Sequence, residues 1–278
     1  MNQLPLADAS VMFNAWLLLA GVAAAVLLWF TWTVWRDRGP GDTPVIALIR
    51  RVNAVYTYVF HGIRRPPDDP LPRGGPAIVV ANHRSGIDPL VLNACTRRRI
   101  RFLIAREYYQ ITGLFMIFRK IQVIPVRRDG SDLAATRHAL RALREGDVIG
   151  IFPEGGIRDK LEDSLAPEES ERDEFKDGAS LLALRSGAPL ISAYIDGTPP
   201  NDSVLAAFFT PTRSRVVFGT PFHLPKTSGA KPTKEELRDG TRRIVDRILA
   251  LRSILRDGDP ESEAGGQSEA EVLSRTKS

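Results

Sequence analysis

Three features of the sequence predict an α/β fold: a mostly parallel mixed sheet flanked by helices, preceded by an N-terminal transmembrane helix. Residues 9–35 carry no charged side chain. Between 77 and 219, six short apolar runs follow one another at strand length. Helical patterns, including 131–145 and 177–187, separate several of them. Strands alternating with helices build parallel sheets, because a parallel connection must cross from one end of the sheet to the other.

Taken in order, the first element is MFNAWLLLAGVAAAVLLWFTWTVW, residues 12–35. As a helix it rises roughly 36 Å, enough to cross a hydrocarbon core of about 30 Å. Trp29, Trp32 and Trp35 gather at one end like an interfacial belt, and Arg36 and Arg38 follow. No Lys or Arg precedes the span, so the arginine bias puts the N-terminus outside and the rest on the cytoplasmic face. A cleaved signal peptide would begin with a basic segment and have a shorter apolar core. The stretch therefore reads as a retained anchor.

DRGPGDTP, residues 37–44, reads as a linker, closing an anchor-and-linker unit over 1–44. VIALIRRVNAVYTYVFHGIRR, 45–65, reads as an amphipathic helix that either lies on the membrane surface or packs on the domain. A Pro/Gly break follows and ends this unit at 75. The main domain spans 76–255. Its strand runs are AIVVA (77–81), IRFLIA (100–105), QVIPV (122–126), DVIGIF (147–152), PLISAYI (189–195) and RVVFG (215–219). A terminal helix over 233–255 opens with Thr233 and Glu236 in capping-box spacing. The remaining tail, 256–278, is polar and is expected to be disordered.

Composition narrows the function classes. The net charge is +5 and the pI about 9.5 across 278 residues. A basic chain favours nucleic acid, an anionic membrane surface or a phosphate-bearing substrate. The charge-free span argues against nucleic acid. Between Arg97 and Arg128 the charges are basic except for Glu107, whereas 162–174 is acidic except for Arg172. The lone Cys95 cannot form an internal disulfide. His61, His83, His138 and His223 are scattered, without a His-x3-His or Cys pair, so no metal site is expected.

Two loops carry candidate chemistry. AIVVA empties into NHRSGID, and DVIGIF into PEGGIRD. If both strands are parallel, both loops leave the same edge of the sheet, where open α/β sheets build their sites. His83, Asp88, Glu154, Gly155 and Arg158 could then converge, although about 70 residues separate the groups. A histidine that removes a proton needs a partner for its other nitrogen, and Asp88 can supply it across a turn at Gly86. Pro89 then starts a helix that holds the aspartate. The two glycines after Glu154 offer backbone N–H groups to an anion, and Arg158 adds a fork for phosphate. Taken singly, each loop is also ordinary turn chemistry.

In order and separation, NHRSGID, VIPVRR (123–128), FPEGGIRD and GAPLISAYIDG (187–197) resemble the glycerolipid acyltransferase family, the 1-acylglycerol-3-phosphate acyltransferases. The likeness covers roughly 76–225. It implies that His83 is the general base and Asp88 its orienting partner. It assigns the acceptor's glycerol phosphate to Arg127, Glu154 and Gly155, with Arg158 as a further contact. It assigns the acyl pocket to the region of Pro189 and Ile191. It implies no covalent acyl-enzyme, no cofactor and no metal, with acyl-CoA or acyl-carrier protein as co-substrate. Arg158 stands three positions after Gly155, where the family's arginine stands two positions on. Gln122 and Ser192 replace the family's more usual glycine and proline.

The residues agree with such chemistry. A thioester is already activated, so a base suffices, and positioned base catalysis supplies about 10²–10⁴-fold. The expected partners are a lysophospholipid acceptor, the acyl donor and the bilayer, with no nucleic acid. Lysophosphatidic acid leads as acceptor. The alternatives are another lysolipid, or a catalytically silent lipid-binding relative of the fold.

Overall fold

The computed structural model describes residues 6–257 apart from 37, 40, 67, 110–113, 128–131, 157–174, 200–203, 226, 228 and 230. Arg158, the acidic segment 162–174 and the tail beyond 257 lie outside the described residues.

Helix α1, Leu6–Arg36, contains the charge-free stretch. Val11–Arg36 is long and apolar enough to cross a membrane, with a mean hydropathy of 2.2. Helix α2, Pro44–His61, starts where Thr43 accepts a hydrogen bond from the Ile46 amide and ends at Gly62 in the left-handed conformation. It packs on the domain. Asn53 donates to the Leu90 carbonyl at 2.8 Å, Arg50 to that of Thr96 at 2.8 Å and the Tyr56 hydroxyl to that of Phe208 at 2.7 Å. Its other side leaves Val45, Leu48, Val52, Val55 and Val59 exposed at alternating three- and four-residue spacing.

The sheet has six strands: β1 Ala77–Ala81, β2 Ile100–Ala105, β3 Ile124–Val126, β4 Val148–Ile151, β5 Leu190–Asp196 and β6 Arg215–Phe218. Their spatial order is β3-β2-β4-β1-β5-β6, parallel except for β6 against β5. This is the mixed, mostly parallel α/β sheet that the strand–helix alternation predicts. Between the strands run α3 Asp88–Ala94, α4 Arg106–Tyr109, α5 Leu114–Lys120, α6 Leu133–Arg144, α7 Gly178–Ser186 and α8 Val204–Phe209, with α9 Lys234–Asp257 last. Thr233 and Glu236 exchange the two capping bonds, at 2.8 and 3.1 Å.

Two apolar layers sandwich the sheet. Ile78 and Val80 of β1 face a layer with α6, α7 and α9, including Ala139, Leu182, Ile244 and Ile248. Ala77, Val79 and Ala81 face the other, with Val91 and Leu92 of α3 and Ala207 of α8. Every β1 and β4 residue is buried, as expected of strands covered on both faces.

Candidate active site

The strand order decides what meets. β4 lies beside β1, so the loops after Ala81 and Ile151 leave adjacent strands at one edge. His83 and Glu154, 71 residues apart in sequence, are in contact: the His83 amide donates to Glu154 Oε1 at 3.3 Å. Glu154 is 3% exposed.

Asp88 opens α3 and is fully buried. Its Oδ2 accepts three hydrogen bonds, from the His83 ring Nδ1 at 2.9 Å, the Arg84 amide at 2.7 Å and the Ser85 amide at 2.8 Å. The two backbone bonds fix the carboxylate before it meets the imidazole. As an acceptor it draws the imidazole proton to Nδ1 and leaves Nε2 as the basic nitrogen. The His83 side chain keeps 16% of its surface exposed, so it borders solvent and Asp88 does not.

The Pro153–Gly156 turn is tighter than its composition requires. Gly155 has φ +69° and its amide donates to the Phe152 carbonyl at 3.1 Å. That amide closes the turn instead of facing an anion, which corrects the expectation for the first of the two glycines. A Cβ on Gly155 would meet the Lys176 stem at 3.0 Å. Lys176 thus lies against the turn, held by its amide bond to the Pro153 carbonyl at 2.7 Å. The sequence reading passed over Lys176, because the acidic segment separates it from the motif.

Phe152 was also passed over. Its ring stacks on the His83 imidazole, with centroids 4.1 Å apart and planes at 11°. Phe102 of β2 stacks on Phe152 in turn, at 5.3 Å and 12°. A Cβ on Gly150 would lie 2.4 Å from the Phe102 ring, so the bare glycine is what lets that ring lie against β4. The apolar run DVIGIF therefore contains a support for the histidine, a role that hydropathy alone does not reveal.

Arg127 follows β3 at the same edge. β2 and β4 stand between β3 and β1, about 14 Å across at strand spacing. Its side chain is 55% exposed, with Nε 3.9 Å from Asp132. Asp132 caps α6, and the amides of Ala135 and Arg127 hold its carboxyl below the usual range. The structure does not bring Pro189 and Ile191 to this edge. The Pro189 carbonyl pairs with the Ile78 amide where the β1–β5 ladder begins, and Ile191 is fully buried. Four residues of strand, about 13 Å, separate Ile191 from the level of the histidine loop. Among the described residues no cluster of His, Cys, Asp or Glu could hold a metal.

The acyltransferase family model matches residues 63–196, which include β1 to β5 and both loops. Residues 63–196 thus form an acyltransferase-family domain. The chain is similar to the 1-acyl-sn-glycerol-3-phosphate acyltransferase of Bacillus subtilis, 25% identical over 195 residues. That match spans 70% of this chain and 90% of the relative. It is also similar to the enzyme of the same name from Borreliella burgdorferi, 28% identical over 46% of this chain and 48% of the relative. The crystal structure of the 1-acyl-sn-glycerophosphate acyltransferase of Thermotoga maritima shares the fold, with a TM-score of 0.55 and 21% identity. It covers 74% of this chain and 80% of that one. The chain thus shares the acyltransferase domain and the fold of these relatives.

Proposed function

We propose that the protein moves a fatty acyl group from acyl-CoA or acyl-carrier protein to the free hydroxyl of a lysophospholipid, first of all 1-acyl-glycerol-3-phosphate, giving phosphatidic acid. His83 Nε2 removes the hydroxyl proton as the oxygen attacks the thioester carbonyl. Asp88 keeps the ring oriented and steadies the imidazolium as it forms. Collapse of the tetrahedral intermediate expels the thiolate, which takes the proton from the His83 imidazolium and leaves as the thiol. No side chain needs to carry the acyl group and no cofactor is called for.

The single observation that carries this reading is the 2.9 Å bond from His83 to a fully buried, backbone-anchored Asp88. Of the residues assigned to the acceptor, the exposed Arg127 suits its phosphate, while the Gly155 amide is already used within its turn. The long guanidinium stem lets Arg127 reach inward across the edge. Helix α1 holds the domain at the bilayer, where acceptor and product reside. Arg36 lies over the Trp32 ring at 4.6 Å and Arg51 over that of Trp29 at 5.3 Å, which fits an interface on the arginine side. By the same bias the catalytic domain sits on the cytoplasmic face.

The test is acyl transfer by purified protein from labelled acyl-CoA, and separately from acyl-carrier protein, to a panel of lysolipids, beside His83→Ala. Transfer to lysophosphatidic acid that vanishes in the variant is expected. Transfer confined to another acceptor would replace the substrate and keep the chemistry. No transfer by the wild type from either donor would refute the reading in favour of a silent lipid-binding relative.

A further inference from the structure

We propose that the end of β5, Ile195–Asp196, is a positioning clamp that grips the catalytic loop on both sides of His83. The inference rests on the acyl-transfer reading above and names what fixes its base in place.

The regular ladder between β1 and β5 runs from Ile78 opposite Leu190 to Ala81 opposite Ala193. Beyond it the pairing is continued by a side chain. Asn82 Nδ2 donates to the Ile195 carbonyl at 2.9 Å, and the Ile195 amide donates to Asn82 Oδ1 at 2.7 Å. An amide side chain carries the same donor and acceptor as a peptide group, so Asn82 extends the sheet by one rung. It is 2% exposed, so both bonds are shielded from water.

The residue after the histidine is held by the next residue of β5. Arg84 Nη1 lies 2.7 Å from Asp196 Oδ1. Asp196 Oδ2 lies 3.0 Å from Arg215 of β6, so the carboxylate is itself braced. Burial alone would raise the Asp196 carboxyl. The hydrogen bonds from Arg215 and the Gly197 amide, with the charge of Arg84, outweigh that and lower it. Consecutive residues of one strand thus hold the residues immediately before and after His83. The ring is then aligned by Asp88 and Phe152, and the backbone beneath it by Asn82 and Arg84.

Arg84 and Asp196 are therefore positioning residues. The fourth motif, GAPLISAYIDG, thus reaches the histidine loop through its final Ile-Asp. Misplacement of a reacting group by about 1 Å costs on the order of 100-fold in rate. The clamp controls placement of the base and leaves substrate affinity alone.

The experiment compares wild type, Asp196→Asn, Arg84→Met, Arg84→Lys and the double variant Arg84→Met/Asp196→Asn, all full length in detergent or vesicles. Acyl transfer and melting temperature are measured together. The expected result is a fall in kcat of about tenfold or more in both neutral variants, with KM for donor and acceptor unchanged. Arg84→Lys should recover part of the loss, and the double variant should be no worse than either single one. A second readout does not need activity: ¹⁵N relaxation of the His83 ring, assigned by its loss in His83→Ala, should show a more mobile ring in the neutral variants. A lower melting temperature with kcat and ring order unchanged would reduce the pair to a structural role and overturn the clamp. A raised acceptor KM in Arg84→Met alone would overturn it by making Arg84 a substrate contact. Unchanged ring order overturns it even if the wild type transfers no acyl group, an outcome that separately removes the acyl-transfer reading.

Discussion

The imidazole of His83 lies flat on the ring of Phe152, 4.1 Å from centroid to centroid. A residue inside an apolar run therefore carries one face of the proposed base. Stacked aromatic pairs contribute about 0.5–1.5 kcal/mol beyond the area they bury. Phe152→Leu should lower kcat by about tenfold, the rate equivalent of that energy, and Phe152→Tyr should keep most of it. Steady-state kinetics at fixed pH decide this. A Leu variant as fast as wild type would show the stack to be idle.

Asp88→Asn should be far more damaging than its size suggests. The amide nitrogen cannot accept the bonds from His83, Arg84 and Ser85 that Oδ2 now receives. An amide turned to save the two backbone bonds can still place its NH₂ where it forces the wrong imidazole tautomer. A loss in kcat of about 10³–10⁴-fold is expected, as in triads that lose their aspartate. The measurement is kcat alongside a thermal melt that checks folding.

Gly150→Ala tests the support beneath Phe152. The added methyl would sit 2.4 Å from the Phe102 ring, its direct register partner on β2. Overpacking of this kind costs about 1–3 kcal/mol, and each kcal/mol lowers the melting temperature of a domain this size by about 2–4 °C. Activity should fall further than stability alone explains, because Phe102 moves Phe152 and Phe152 moves His83.

Arg127→Ala should act on binding. The side chain is 55% exposed and borders the proposed phosphate position. Its removal should raise KM for a phosphate-bearing acceptor by about tenfold while kcat changes little. The effect should shrink as salt is raised, since an exposed cation is screened at a Debye length of about 8–10 Å. An acceptor without a phosphate should not notice the change.

Stability should fall in acid because of His61. This residue is fully buried, with its Nε2 3.0 Å from the Tyr56 hydroxyl and its Nδ1 2.8 Å from the Thr212 hydroxyl, tying α2 to the segment before β6. Burial lowers its pKa below the ordinary 6.5. His138 is lowered too, by burial and then by the charges of Arg101 and Arg141. The unfolded chain binds these protons more readily than the folded one, so stability rises with pH across the window. The contribution is complete above about pH 6.5 and is lost as pH falls through the depressed folded-state values. Denaturant melts from pH 8 to 5 should show this slope, and His61→Gln should flatten part of it.

Much of the fold was legible because it is local. The run AIVVA is β1 residue for residue, and IRFLIA is β2. The capping box at Thr233 sets the start of α9 within one residue. QVIPV overshot, since β3 keeps only Ile124–Val126 and Gln122 sits at φ +57° before it. The pair His83–Asp88 was legible because both lie within one turn. Pro189 and Ile191 are assigned to the acyl site by resemblance alone, and the strand sets Ile191 about 13 Å back from the histidine loop.

The sequence by itself determined which segments are strands, which are helices, where caps fall and which helix is apolar enough for a bilayer. Those outcomes follow from backbone propensity, periodicity and the burial of apolar side chains, all set by near neighbours. Only the tertiary structure decided that β4 sits between β1 and β2, and β5 on the other flank of β1. Strands buried on both faces have no alternation to mark their neighbours, so their order comes from how the two helix layers close over them. That order brings Glu154 under His83, puts Phe152 against its ring and lays Ile195 and Asp196 alongside Asn82 and Arg84.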